Sequence, residues 1–129
     1  MIKNFEHVTA TLNQDEKKLV PIIVKRFIDR QGKQNIVTNQ QIIEGIKKNF
    51  GIELSQPRVR KIIQHIRLNN LLTGLIATQS GYYYTTNENQ IREWIESMKQ
   101  REAAIRASYQ IAEQHLKLMR EQAQSKINF

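Results

Sequence analysis

The apolar positions in the first third of the chain predict two helices. Asn13 and Glu16 have the spacing of a capping box, in which each side chain satisfies the other residue's backbone N–H, and apolar residues recur at helical spacing from there to Asp29. Pro21 removes one backbone donor, so we expect it to kink this helix or divide it near Val20. The apolar positions are Leu19, Ile22, Ile23 and Phe27.

The second helix is predicted over residues 39–50. Thr38 and Gln41 repeat the capping-box spacing, and Gly51 marks the end of the pattern. The segment 35–37 that precedes it is too short for a helix and is predicted to be extended. The side chains expected in the core are Ile42, Ile43, Ile46 and Phe50.

A third helix is predicted to run to about Asn70. Ser55 is a good N-cap, and Pro57 falls in the first turn, where its missing N–H costs nothing. An apolar stripe follows at i, i+3, i+4 and i+7, which is typical of a helix packed on one side. The stripe consists of Val59, Ile62, Ile63 and Ile66.

Two β-prone runs follow the third helix, at residues 75–78 and 82–85. The polar segment Gln79-Ser80-Gly81 separates them and predicts a two-stranded hairpin. The second run contains consecutive tyrosines, which point to alternate faces of a strand, so at least one of them is expected in the core. The predicted fold class is therefore mainly α with a small β-hairpin.

Residues 88–124 predict one long helix. They contain neither Gly nor Pro, and Asn87 with Gln90 again has capping-box spacing. Apolar residues are separated by alternating steps of four and three, the heptad pattern of helices that wind around one another, and Glu102 is the charged exception. The seam consists of Ile91, Ile95, Met98, Glu102, Ile105, Tyr109, Ala112, Leu116, Met119 and Ala123.

This seam predicts a homo-oligomer formed through residues 91–123, but it leaves the arrangement open. In a parallel pair, Arg101 would face Arg106 of the neighbouring chain, which is repulsive, so an antiparallel or higher-order assembly is at least as compatible. Two alternatives stand beside self-association. The first turns, with Trp94 and Met98, could pack on the domain of the same chain, or the helix could protrude from a monomer.

The positive charge is concentrated before the long helix. Twenty Lys and Arg against twelve Asp and Glu give a net charge of +8. Residues 1–87 carry thirteen basic and six acidic residues, whereas residues 88–129 carry seven and six. No acidic residue lies between Glu53 and Glu88. A basic segment of this kind favours polyanionic partners such as nucleic acid.

The composition argues against several other functions. The chain has no cysteine, and His7, His65 and His115 are not at metal-ligand spacing, so we expect neither a metal nor another cofactor. No carboxylate pair, nucleophile–base pair or phosphate loop is visible, so neither an enzyme nor a small-molecule substrate is expected. No apolar run is long enough to cross a bilayer, and the start of the chain lacks a signal-peptide core. We expect a cytoplasmic protein, of a bacterium or within a bacterial host, that does not bind membranes.

Residues 36–86 resemble winged-helix, or winged helix-turn-helix, DNA-binding modules of the kind found in phage and mobile-element proteins. The features that carry the resemblance are the Thr38 cap, the third-helix segment SQPRVRKIIQHIRLNN and the hairpin segment GLIATQSGYYYTTN. In this family the third helix enters the major groove, and the hairpin, called the wing, touches the neighbouring backbone or minor groove. The resemblance implies the same here.

Helical geometry places polar side chains opposite the apolar stripe of the third helix. At about 100° per residue, Arg60, Lys61 and Gln64 lie at the middle of that face. Arg can bond guanine through two parallel N–H groups and Gln can pair with adenine, while Lys61 and Arg58 are expected on phosphates. The alternative is that this face is only solvated. The predicted DNA-binding residues are Gln56, Arg58, Arg60, Lys61, Gln64, His65 and Arg67, with Ser80 and Tyr82 from the wing.

The chain is thus predicted to contain four segments: an N-terminal arm (1–12), a winged-helix domain (13–87), a long oligomerisation helix (88–124) and a short tail (125–129). Two functions compete. In the first, the chain is a double-stranded-DNA-binding protein, expected to be dimeric, that serves a phage or mobile element as a transcriptional regulator or a replication or maintenance factor. In the second, the winged helix binds protein and the long helix assembles a larger complex.

Overall fold

The computed structural model describes residues 11–127, with side chains described as far as residue 124. The elements in chain order are α1 (Gln14–Asp29), a 3₁₀ turn (Lys33–Asn35), α2 (Asn39–Phe50), α3 (Gln56–Leu68), β1 (Leu75–Thr78), β2 (Gly81–Tyr84) and α4 (Glu88–Ile127). They divide into two compact units, with the boundary between Ile91 and Arg92. Residues 1–10 of the predicted arm lie outside the described range, as do the side chains of the predicted tail.

α1 begins with the predicted capping box. Asn13 Oδ1 accepts from the Glu16 N–H at 2.8 Å, and Glu16 Oε1 accepts from the Asn13 N–H at 2.9 Å. Of the two outcomes expected at Pro21, division of the helix is contradicted, because α1 is one helix of 16 residues with Pro21 inside it, and a kink stays a prediction. Pro21 has no N–H to donate to the carbonyl of Lys17, four residues earlier. Both residues are exposed, so water can bond that carbonyl.

α2 has the predicted bounds and capping box, and it ends at Gly51, which is left-handed with φ 69°. Ile42 and Ile46 are buried as predicted, and Ile43 is half-buried. The prediction that Phe50 is buried was wrong, because its exposed fraction is 47%. Each step of four residues rotates a helix position by about 40°, so the face is carried away from the core between Ile42 and Phe50.

α3 supplies the centre of the core. Its four apolar stripe residues are exposed by 2% or less, and the helix contacts both α1 and α2. Ser55 Oγ caps it by accepting from the Arg58 N–H at 3.4 Å. The core side chains contributed by the other elements include Leu19, Ile23, Phe27, Ile42, Ile46, Leu75 and Tyr82.

β1 and β2 form an antiparallel hairpin, and β2 begins and ends one residue earlier than predicted. Thr78 closes the turn with its side chain, since Thr78 Oγ1 donates to Gly81 O at 2.9 Å and accepts from the Ser80 N–H at 3.1 Å. The expectation that at least one of the tyrosines lies in the core is confirmed. Tyr82 and Tyr83 are both buried.

Val37 joins the hairpin at the other edge of β2. Val37 N–H donates to Tyr82 O, and Tyr82 N–H donates to Val37 O, both at 2.8 Å. The predicted extended segment is therefore extended at Val37, whereas Asn35 belongs to the 3₁₀ turn. Gly81 has φ 136°, and a Cβ there would lie 2.5 Å from Val37 O. Only glycine lets Val37 approach this closely.

α4 begins at Glu88, but its predicted capping box is not formed. Asn87 Oδ1 accepts from the Asn89 N–H at 2.9 Å, while Gln90 Oε1 accepts from the Thr85 hydroxyl at 2.6 Å. The Asn87 N–H donates to Thr85 Oγ1 at 3.0 Å. The prediction was wrong because the buried Thr85 takes the Asn87 N–H and Gln90 Oε1, which one bond of the box would have joined, and Asn87 Oδ1 accepts from Asn89 rather than from Gln90.

Beyond Arg92, α4 exposes most of its apolar side chains. Every described side chain of residues 101–124 is exposed, whereas Ile91 and Met98 are half-buried. None of the described helices contains a stretch both long and apolar enough to cross a bilayer. As far as the side chains of α4 are described, the large apolar ones that are exposed are Ile95, Ile105, Tyr109, Ile111, Leu116, Leu118 and Met119.

Candidate nucleic-acid interface

Four polar side chains form one row along the outer face of α3, which we call the α3 row. They are separated by steps of four, four and three and are all exposed, so they share one face of the helix. Arg60 Nη2 lies 3.4 Å from Gln56 Oε1, which aligns the first two members. No acidic residue occurs on α3. The members are Gln56, Arg60, Gln64 and Arg67.

Lys61 and His65 flank the α3 row and are half-buried. Asn69 Nδ2 donates to His65 O at 2.9 Å and lies 3.3 Å from His65 Nδ1, so the imidazole is held at the end of α3. Lys61 was predicted at the centre of the exposed face. The structure places it at the edge.

Arg58 lies inside the domain, so its prediction as a phosphate contact was wrong. Its Nε donates to Glu16 Oε2 at 2.7 Å, and its Nη2 donates to Glu16 Oε1 at 2.5 Å and to Thr11 O at 3.1 Å. The exposed fractions of the two side chains are 7% for Arg58 and 2% for Glu16. The hydrogen bonds to Glu16 raise the pKa of Arg58, although burial opposes that shift. Arg58 therefore stabilises the attachment of α3 to α1.

Tyr82 is also interior, with an exposed fraction of 6%, so its prediction as a direct DNA contact was wrong. Its hydroxyl donates to Asn39 Oδ1 at 2.7 Å. Burial raises the pKa of Tyr82 above its ordinary value of 10.0, and the charges of Arg60 and Arg67 oppose that rise. Tyr82 thus links the first residue of α2 to the neighbourhood of the α3 row. Sequence reasoning missed Asn39, because a partner 43 residues away leaves no local signal.

The tip of the hairpin offers little charge to a polyanion. Gln79, Ser80 and Gly81 include no Lys or Arg, and the Ser80 N–H is already engaged by Thr78. Ser80 is exposed, and its contact with DNA stays a prediction. A depression of about 500 Å³ lies between the α3 row and the start of the hairpin, bordered by residues that include Gln64, Arg67, Asn70 and Thr73.

Among the described residues, no three His, Cys, Asp or Glu side chains lie close enough together to hold a metal ion. Comparisons with protein-family models, with curated proteins and with solved structures gave no match.

Proposed function

We propose that this protein is a winged-helix DNA-binding protein that places α3 in the major groove of duplex DNA. The observation that carries the proposal is the α3 row, in which two guanidinium and two carboxamide groups are exposed on a helix without any carboxylate. Guanidinium and carboxamide groups are the side chains that read guanine and adenine edges in the major groove.

The order of elements supports the same assignment. Two helices precede α3, a two-stranded hairpin follows it, and Val37 between α1 and α2 pairs with the outer edge of β2. This is the order of a winged-helix domain, whose third helix lies in the major groove. The short wing tip carries no basic residue, so α3 supplies most of the proposed contact.

Four residues of the proposed interface fall into two roles. Arg60 bonds guanine and Gln64 bonds adenine, which gives sequence preference. Lys61 and Arg67 bond phosphates, which gives affinity that depends on salt. In this role the protein is a regulator or a replication or maintenance factor of a phage or mobile element.

The test is fluorescence anisotropy of the full chain with mixed-sequence duplex DNA at several salt concentrations, followed by selection of preferred sequences. We expect affinity to fall steeply as salt rises, because each neutralised phosphate releases counterion. The Arg60→Ala/Gln64→Ala variant is expected to lose about tenfold or more in affinity for the preferred sequence and most of the preference. Lys25→Ala, an exposed charge on α1, is the control and is expected to cost far less.

Two results would contradict the proposal. One is the absence of duplex binding at low salt. The other is an equal loss of affinity in Lys25→Ala and in the Arg60→Ala/Gln64→Ala variant, which would mean that net charge alone binds the DNA.

The second part of the proposal is that α4 brings copies of the chain together. Among the described side chains of α4, seven large apolar ones are exposed, and five of these belong to the predicted heptad seam. A pair of α3 helices fixed in this way would read a two-fold symmetric DNA site. The same exposed side chains favour the competing function, an assembly subunit that does not bind DNA, and the anisotropy experiment separates the two.

A further inference from the structure

An open groove of about 470 Å³ lies between α1 and α2. Its floor is apolar and well packed, since each floor residue is exposed by no more than 9%. None of the residues that line the groove belongs to the α3 row, so it is a separate feature of the domain. The floor residues are Ile23, Phe27, Ile42 and Ile46.

Gly45 lies in the wall of the groove, in the middle of α2. Glycine inside a helix costs about 1 kcal/mol relative to alanine. Packing among the described residues does not require it, because none of their atoms, apart from the backbone of α2 itself and the chain neighbours of Gly45, lies within 4 Å of the position that a Cβ would occupy. The missing side chain leaves the helix backbone open to close approach from outside, as small residues do where helices pack against each other.

Phe50 stands at the end of the same groove and exposes 47% of its surface. A half-exposed aromatic ring beside an apolar floor is a typical anchor of a protein interface. Gly45 and Phe50 thus offer a partner both a close approach and an apolar contact on one helix.

The positive charge at the rim of the groove restricts the kind of partner that can bind there. Arg26 and Arg30 line it and are exposed, and no described acidic side chain lines it. Two copies of this chain related by a two-fold axis would bring like charges together, which opposes self-association through this face. An occupant with carboxylates beside its apolar groups complements both the floor and the rim.

The length of the groove fits a helix. One wall runs from Ile22 on α1 to Arg30, the C-cap of that helix, and the other runs from Gln41 to Phe50 on α2. At 1.5 Å per residue each wall is about 12–14 Å long, which is between two and three helical turns. We propose that this groove binds an acidic amphipathic helix of another protein, with its apolar face over Gly45 and its carboxylates on Arg26 and Arg30. The proposal does not depend on DNA binding.

The experiment is an NMR titration of the full chain, labelled at isoleucine methyl groups, with a synthetic helical peptide. The peptide has leucine at every third or fourth position and glutamate elsewhere, and a scrambled peptide of the same composition is the control for charge. We expect saturable shifts of the Ile22, Ile36 and Ile42 methyls with the first peptide and at least about tenfold weaker binding of the second.

Two variants test the site from opposite directions. Gly45→Leu introduces a better helix former into α2 but fills the groove, so we expect at least about tenfold weaker peptide binding, with circular dichroism confirming the fold. Arg26→Gln/Arg30→Gln removes the rim charges. Its matched control is Lys17→Gln/Lys18→Gln, which removes two exposed charges from the same helix outside the groove.

The proposal is supported if Gly45→Leu and Arg26→Gln/Arg30→Gln both weaken binding well beyond the Lys17→Gln/Lys18→Gln control. It is overturned by any of three results: no saturable shift at the groove, unchanged binding by Gly45→Leu, or an equal loss in the two double-charge variants. The last result would show attraction to net charge only.

Discussion

At the scale of single residues, Arg58 and Glu16 link α3 to the start of α1. Both charges are buried, and the pair is joined by two hydrogen bonds, while Glu16 also accepts from the Asn13 N–H. Burying two charges is costly, and the pair offsets that cost only while both partners are present. A further bond from Arg58 to Thr11 O ties down the chain that precedes α1.

Replacing Arg58 alone should therefore destabilise the domain strongly. We expect Arg58→Met to lower the free energy of unfolding by about 3 kcal/mol, measured by urea denaturation, because it leaves the Glu16 carboxylate buried without its cation. In the double variant Glu16→Gln/Arg58→Met the buried charge is gone, while Gln can still form the capping box. The double variant should therefore lose less free energy of unfolding than the sum of the losses in the two single variants. Lys25→Met is the surface control, and an equal effect there would contradict this account.

Tyr82 predicts a dependence of stability on alkaline pH. Its folded pKa is raised above 10.0, so the folded state holds the proton more tightly than the unfolded state does. This stability is fully present below the unfolded pKa and is lost as pH rises through the folded value. We expect the parent protein to lose more stability above pH 10 than Tyr82→Phe does, measured by thermal unfolding. At neutral pH, Tyr82→Phe should lower the free energy of unfolding by about 1 kcal/mol, because the hydrogen bond to Asn39 is lost. Identical pH profiles would contradict the role of Tyr82.

At the scale of elements, the helix ends follow from short-range chemistry. The capping boxes predicted for α1 and α2 are both formed, because each joins residues only three positions apart. The box predicted for α4 fails because Thr85, just outside it, competes for the same groups. A local rule is reliable only where no neighbouring side chain intervenes.

Alanine substitution should have opposite effects on stability at Gly45, inside α2, and at Gly51, the C-cap of that helix. Gly45 lies inside the helix with open space at its Cβ position, so Gly45→Ala should raise the free energy of unfolding by about 1 kcal/mol. Gly51 has φ 69°, a left-handed conformation that alanine adopts only with strain, so Gly51→Ala should lower it by about 1 kcal/mol. Urea denaturation of both variants checks the pair. A loss of stability in Gly45→Ala would mean that the space at Gly45 is occupied.

At the scale of the whole molecule, α4 contributes an apolar surface that its own unit does not cover. It is a helix of 40 residues, and Ile105 and Met119 expose 66% and 63% of their surface. Glu102 is the charged member of the predicted seam, and its Oε1 lies 3.1 Å from Nη2 of Arg106, four residues further along the helix. Such an exposed pair contributes little stability, so it is compatible with rearrangement when another helix packs against the seam.

Substitution of the seam should therefore lower the oligomeric state. We expect the full chain to sediment as an oligomer at micromolar concentration and Ile105→Gln/Leu116→Gln to sediment as a smaller species, because both apolar contacts are lost from each copy. Gln110→Ala/Gln114→Ala changes two exposed positions off the seam and should leave the mass unchanged. A monomeric parent protein would contradict the proposal that α4 brings copies together.

The sequence by itself determined the helices, the hairpin, three caps and most of the α3 row, because these depend on periodicity and on residues within a few positions of one another. Only the tertiary structure decided that Arg58 and Tyr82 are buried, because their hydrogen-bond partners are 42 and 43 residues away in the sequence. A helical wheel cannot distinguish an exposed cation from one withdrawn to a distant carboxylate. A helical wheel also cannot predict the groove between α1 and α2. Gly45 and Phe50 line this groove only because α1 packs beside α2.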